Sequence, residues 1–167
     1  MKKALKILAV FILALLMNCG GKEEKKSEGF TYENNTSTEQ KVETKAVSNT
    51  PASQKVDLTN KGVGPIKSLA LSPELDQTMV AHGAEVFKKM CTACHKADKK
   101  FIGPSPKGIL ERRTPEWVMN MILNPNEMVE KDPLAKELLI EFNGSPMANQ
   151  NLTEEEARAV LEYFRSL

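Results

Sequence analysis

Residues 91–95 read Cys-Thr-Ala-Cys-His. Two thiols separated by two residues sit about one helical turn apart, on one face. A histidine follows at once. This C-x-x-C-H order is the attachment pattern of a c-type haem. The two thiols add across the two vinyl groups of one porphyrin, and His95 reaches the iron from the same side as the proximal ligand. Two other chemistries fit less well. A redox C-x-x-C wants a βαβ setting, which the chain does not offer. A zinc site wants a second Cys/His pair. Only Cys19 and His82 remain, and their spacing is wrong.

The chain has 167 residues, which favours one domain. Net charge is +1 and aromatic content is 5%, so a nucleic-acid partner finds no electrostatic footprint. Three cysteines, one near the N-terminus and two in the motif, make no disulfide framework.

Lys2, Lys3 and Lys6 precede an apolar run from Ile7 to Met17. The run is short for a membrane span and fits a secretory signal. It ends Leu16-Met17-Asn18-Cys19, which resembles a bacterial lipobox, with Asn18 in place of the usual small residue. The expectation is a signal peptide over residues 1–18 and a lipid on Cys19; the alternative is an ordinary cleaved signal with an incidental cysteine. The protein is then exported, anchored to a membrane on its periplasmic side. Export agrees with the motif, since covalent haem attachment in bacteria belongs outside the cytoplasm. Residues 19–61 are Lys, Glu, Ser, Thr, Asn and Gln with scattered single hydrophobes. They bury too little apolar surface to offset ordering entropy, and read as a disordered tether of reach about 35 Å.

Residues 62–167 make the folded domain. An arm with two glycines and a proline leads into a first helix, with Ser72 as cap and Pro73 in its first turn. Its inner face is Leu75, Met79, Val80, Gly83, Val86, Phe87 and Met90. Gly83 costs about 1 kcal/mol against alanine in a helix, which close approach of another helix would explain. Past the motif, Pro104 offers a carbonyl to hold the Nδ1–H of His95. A second helix runs from Pro115 to Leu123, capped by Thr114 and ended by Asn124-Pro125-Asn126. A third runs from Pro133 to Phe142, between Asp132 and Asn143-Gly144. The last starts at Thr153, with Glu156 completing a capping box.

Gly83, Phe87, Cys91, Cys94, His95, Gly103, Pro104, a methionine loop and a terminal aromatic helix together resemble a class I single-haem cytochrome c. The resemblance covers about residues 72–167. It implies an all-α fold of about four helices around one covalent haem c, with Val160 and Tyr163 where the last helix crosses the first. Pro106 departs from the family's G-P-x-L pattern, which has an apolar side chain there, and the expectation is a differently built wall at that point. The arm GVGPIKSLAL and the run RRTPEWVMNMILNPNEM are further similar to small cytochromes found with nitrous oxide reductases.

The sixth ligand has several candidates: Met147, Met128, Met121, Met119, Met90, Met79 and His82. Met119 and Met121 fall in a helix, as core packing. Met79, Met90 and His82 precede the attachment turn. Met128, in a loop, is the rival. The resemblance implies Met147, in the loop Gly144-Ser145-Pro146-Met147 before the last helix. With His95 and Met147 both on the iron, no site is open and the protein carries electrons without catalysis. A haem enzyme or small-ligand sensor with a displaceable sixth ligand is the alternative, and a tethered docking module is a third reading. Lys88, Lys89, Lys96, Lys99 and Lys100 surround the motif, and could steer an acidic redox partner or be a solvated face.

Overall fold

The computed structural model describes residues 50–167. The expected signal peptide, Cys19 and the tether up to residue 49 lie outside the described residues. Within them the elements are helices: α1 (Gln77–Met90), α2 (Pro115–Leu123), α3 (Pro125–Lys131), α4 (Pro133–Glu141) and α5 (Glu154–Arg165), with a 3-10 turn at Ile109–Glu111. The all-α expectation holds, with one helix more than the four expected. No described helix is long and apolar enough to cross a membrane.

Local chemistry sets most boundaries. Thr114 accepts from the Trp117 amide at 3.1 Å and Pro115 opens α2. Thr153 and Glu156 form the expected capping box on α5. Asn143 and Gly144 both take positive φ, and the Gly144 amide closes α4 on the Leu139 carbonyl at 2.8 Å.

Two boundaries differ from expectation. The first helix starts at Gln77, capped by Asp76, whose Oδ1 accepts from the Met79 amide at 3.0 Å. The Ser72 hydroxyl instead accepts from the Glu74 amide in a turn. The physical reason is tertiary. Residues 72–76 are held from α5, through Arg165 Nη2 to the Ser72 carbonyl and the Asp76 amide to Glu162. The second correction is α3. Pro125 ends α2 and also opens a new helix, because proline fits a first turn as well as a stop. Met128 therefore sits in a helix, not a loop.

The main helix pair is α1 with α5. A Cβ on Gly83 would fall inside the Ala159 carbonyl and 2.9 Å from the Val160 amide nitrogen. The contact of Gly83 is thus the α5 backbone at Ala159–Val160. Tyr163 meets Phe87 instead, with ring centroids 5.4 Å apart, and Phe164 meets Phe87 edge-on at 5.7 Å. Behind the pair, Trp117, Val118 and Ile122 of α2, Leu134 and Ala135 of α4, and Ala157 and Leu161 of α5 close one core. Burying each large side chain contributes about 1.5–3 kcal/mol.

The tether expectation fails at its C-terminal end. Residues 51–71 form a strap bound to the helices. Ser53 donates to Glu141 through both its amide and its hydroxyl, at 2.7 and 2.6 Å. The Asp57 amide donates to the Arg112 carbonyl at 2.9 Å, and Ala52 and Ile66 are buried. Asn120 of α2, fully buried, clasps the strap. It donates to the Lys61 and Ile66 carbonyls and accepts from the Ile66 amide, each at 2.9 Å. A polar composition does not prevent ordering when the polar groups find buried partners on another element.

Candidate functional site

The attachment motif begins where α1 stops. Cys91 caps the helix, its amide bonded to the Phe87 carbonyl at 2.9 Å. The amides of Cys94 and His95 then turn back onto the Cys91 carbonyl at 3.0 and 2.9 Å. Burial first, and the neighbouring Cys94 second, push the Cys91 thiol up to about 11. That opposes a redox C-x-x-C, whose reactive cysteine is a stabilised thiolate.

The loop after the motif folds back over it. The Gly103 amide donates to the Cys94 carbonyl at 2.8 Å. The His95 Nδ1–H donates to the Pro104 carbonyl, also at 2.8 Å. A carbonyl can only accept, so the proton is on Nδ1 and Nε2 keeps its lone pair for a metal.

These groups border a cavity of about 700 Å³, a volume suited to a cofactor. Cys91, Cys94 and His95 line it from the motif, and Met147 from the loop between α4 and α5. Phe87, Ile102, Val118, Ile122, Leu138 and Phe164 are among its apolar walls. Pro106, the departure from the family pattern, is buried and forms wall. Two adjacent thiols, an imidazole with a free Nε2 and an apolar slot of this size fit a covalently bound haem.

The other sixth-ligand candidates divide. Met90 and Met121 line the cavity; Met121 is therefore wall and not only core packing. Met79, His82 and Met119 do not line it, and His82 is exposed. Met128, the rival in sequence, is fully buried on the strap side, where its Sδ accepts from the Val63 amide at 3.0 Å.

Sequence reasoning missed the polar end of the cavity. Ser53 and Gln54 of the strap, with Arg112 and Arg113, also line it. Two consecutive arginines just before a capped apolar helix were the available signal. The strap residues gave none, because their pairing is long-range.

The family model described as Cytochrome c matches residues 80–167. Among solved structures, a cytochrome c from Rhodothermus marinus is 42% identical with a TM-score of 0.60, covering 62% of this chain and 88% of its own. An engineered form of the R. marinus protein is 41% identical with a TM-score of 0.59, covering 62% of this chain and 89% of its own. The same engineered form, bound to a carbene intermediate, is 41% identical with a TM-score of 0.57 and covers 62% and 88%. No match was found among curated proteins. The haem-sized cavity at a C-x-x-C-H motif and these likenesses meet in one conclusion: the chain belongs to the cytochrome c family, as a class I c-type cytochrome with one covalently attached haem c.

Proposed function

We propose that this protein is a one-electron carrier whose haem iron is ligated by His95 and Met147. The observation that carries the reading is that both side chains, from segments about fifty residues apart in sequence, line one cavity with the two motif thiols. The haem supplies a one-electron couple. The chain's own residues do the rest. Pro104 orients His95, and the loop Asn143–Asn151, with positive φ at Asn143, Gly144 and Asn151, turns Met147 inward without breaking a helix. A thioether raises the reduction potential and suits an electron carrier.

The redox partner reads as acidic. Phe101 and Ile102 are about half exposed beside the cavity, and Lys88, Lys89, Lys96, Lys99 and Lys100 surround them in sequence. Such a patch steers association in a salt-dependent way. A nitrous oxide reductase is one candidate acceptor in a respiratory chain. Its support is the likeness of residues 62–71 and 112–128 to cytochromes found with that enzyme, two stretches that pack together, Asn120 of one bonding both the amide and the carbonyl of Ile66 of the other. Lipidation of Cys19, outside the described residues, places the carrier on the periplasmic side of a membrane.

The engineered R. marinus relative bound to a carbene intermediate favours a second reading, in which Met147 is displaced and a small ligand reaches the iron. The ferric spectrum separates the two. The wild type should show the weak near-infrared sulfur-to-iron band, and Met147→Ala should lose it while Met128→Ala keeps it. A wild type without the band that binds carbon monoxide readily when reduced supports the open-site reading instead. Fractionation of wild type against Cys19→Ser tests the anchor, and equal release of both would remove it.

A further inference from the structure

We infer that residues 53–60 of the strap splint α4, and that Ser53 and Glu141, as positioning residues, set how firmly Met147 is held at the iron; the inference rests on the His95 and Met147 reading above. The strap runs antiparallel to α4 and is bonded to it at three levels. Asn60 Nδ2 donates to the carboxylate of Asp132, the N-cap of α4, at 2.7 Å. The Lys55 ammonium pairs with Glu137. Ser53 donates to Glu141 twice, from its amide to Oε2 at 2.7 Å and from its hydroxyl to Oε1 at 2.6 Å. Glu141 is the last residue of α4, and the last turn of that helix holds no basic residue. A carboxylate alone at the negative end of a helix is unfavourable. The strap supplies what the helix lacks, two donors that meet both oxygens of the carboxylate. Lys55 and Glu137 are 31% and 46% exposed, so solvent screens their pair and it contributes little. The Ser53–Glu141 contact is partly buried and borders the cavity, and is the stronger hold.

Glu141 stands just before the loop Asn143–Asn151, and that loop takes its position from α4. The amides of Asn143, Gly144 and Ser145 donate back to the carbonyls of Ile140, Leu139 and Phe142. Among the described residues, the loop's hydrogen bond to another helix is the exposed one from Asn149 Nδ2 to the Leu123 carbonyl, at 3.3 Å. That is long for an N–H donor and is open to water. The rest of the hold on the last turn of α4 is apolar: Leu138, Leu139 and Phe142 line the cavity, and the Lys100 ammonium lies over the Phe142 ring, 4.6 Å from its centroid. To leave the iron, Met147 must draw its loop, and the helix end the loop hangs from, away from the cavity. Ser53 resists that movement through Glu141. The docked strap therefore biases the sixth site toward methionine. By reciprocity, methionine on the iron favours the docked strap to the same degree.

The test is displacement of Met147 from the ferric, haem-loaded protein by imidazole, read as loss of the near-infrared sulfur-to-iron band. Ser53→Ala and Glu141→Ala should each lower the imidazole concentration at half displacement by up to about tenfold, the range of one or two net hydrogen bonds. Ser53→Thr keeps the hydroxyl and should stay near wild type. A contact that only stabilises the fold would lower the melting temperature of both alanine variants and leave half displacement as in wild type; that result overturns the inference. So does a Ser53→Thr protein displaced as easily as Ser53→Ala. Should the variants fail to accumulate, the wild type decides through the reciprocal effect. Saturating imidazole should speed hydrogen–deuterium exchange in the peptide that holds residues 53–60, and equal exchange with and without imidazole rejects the splint. A wild type without the sulfur-to-iron band removes the methionine reading and the splint with it. A wild type that has the band, with displacement indifferent to Ser53 and Glu141, removes the splint alone.

Discussion

Gly103 lies against the face of His95: a Cβ at residue 103 would stand 2.5 Å from the imidazole Cε1 and 2.9 Å from Nδ1. The glycine is therefore required by the ring beside it, since its own φ is not in the left-handed region. The same short segment supplies the Pro104 carbonyl that fixes the ring's rotation. Gly103→Ala should push the imidazole off its axis or move the loop, at a cost of about 1–3 kcal/mol. Visible absorption of the variant should show a disturbed proximal site and a lower yield of haem-loaded protein. A variant with wild-type spectrum and melting temperature would remove the contact from consideration.

The α1–α5 crossing makes a second, independent demand. At Gly83 the obstacle is backbone, the Ala159 carbonyl, and backbone cannot rotate aside as a side chain can. Gly83→Leu should overpack the crossing by about 1–3 kcal/mol or more. Chemical denaturation of the haem-loaded protein measures it. Unchanged stability would show that α5 can shift freely, which the packing of Phe87 against Tyr163 and Phe164 argues against.

Asn120 tests whether the strap belongs to the folded body. Asn120→Ala leaves the Ile66 amide and the Lys61 and Ile66 carbonyls without their partner. Each buried group so orphaned costs about 1–3 kcal/mol. Proteolysis should then cut within residues 60–71 faster than in wild type. Equal protection in both proteins would mean that the clasp contributes little.

Glu162 gives the fold an acid limit. Burial pushes its carboxyl up, but hydrogen bonds from Arg165 and Arg158 and the Asp76 amide outweigh this and hold it below the ordinary glutamate value. A lowered folded-state pKa gives stability that is complete above the unfolded value, near 4.5, and is lost as pH falls through the folded one. Glu162→Gln should cost about 1–3 kcal/mol at neutral pH. The gap to wild type should close on acidification. Melting temperatures of both proteins across the acid range check it, and a gap independent of pH would show that charge is not the operative term.

The methionines and the strap show what each level contributes. The sequence by itself determined the attachment motif, the cap residues of α2, α4 and α5, and the glycine of the helix crossing. Each is a local pattern whose chemistry works within one turn of chain, so it can be recognised without knowing what lies opposite. It left Met147 and Met128 as rivals, because both precede or follow a proline-bearing break and neither position reveals which way its side chain turns. Tertiary structure decided that Met147 lines the cavity and that Met128 packs beneath the strap. It also decided that residues 51–61 join the body, that Asp76 and not Ser72 starts α1, and that Arg113 is buried. All of these rest on partners fifty or more residues away, such as Ala52 with Arg113 and Asp76 with Glu162. Polar side chains of that kind look alike in sequence whether they face solvent or each other. Only the packing that excludes water from them turns a polar run into a bound strap.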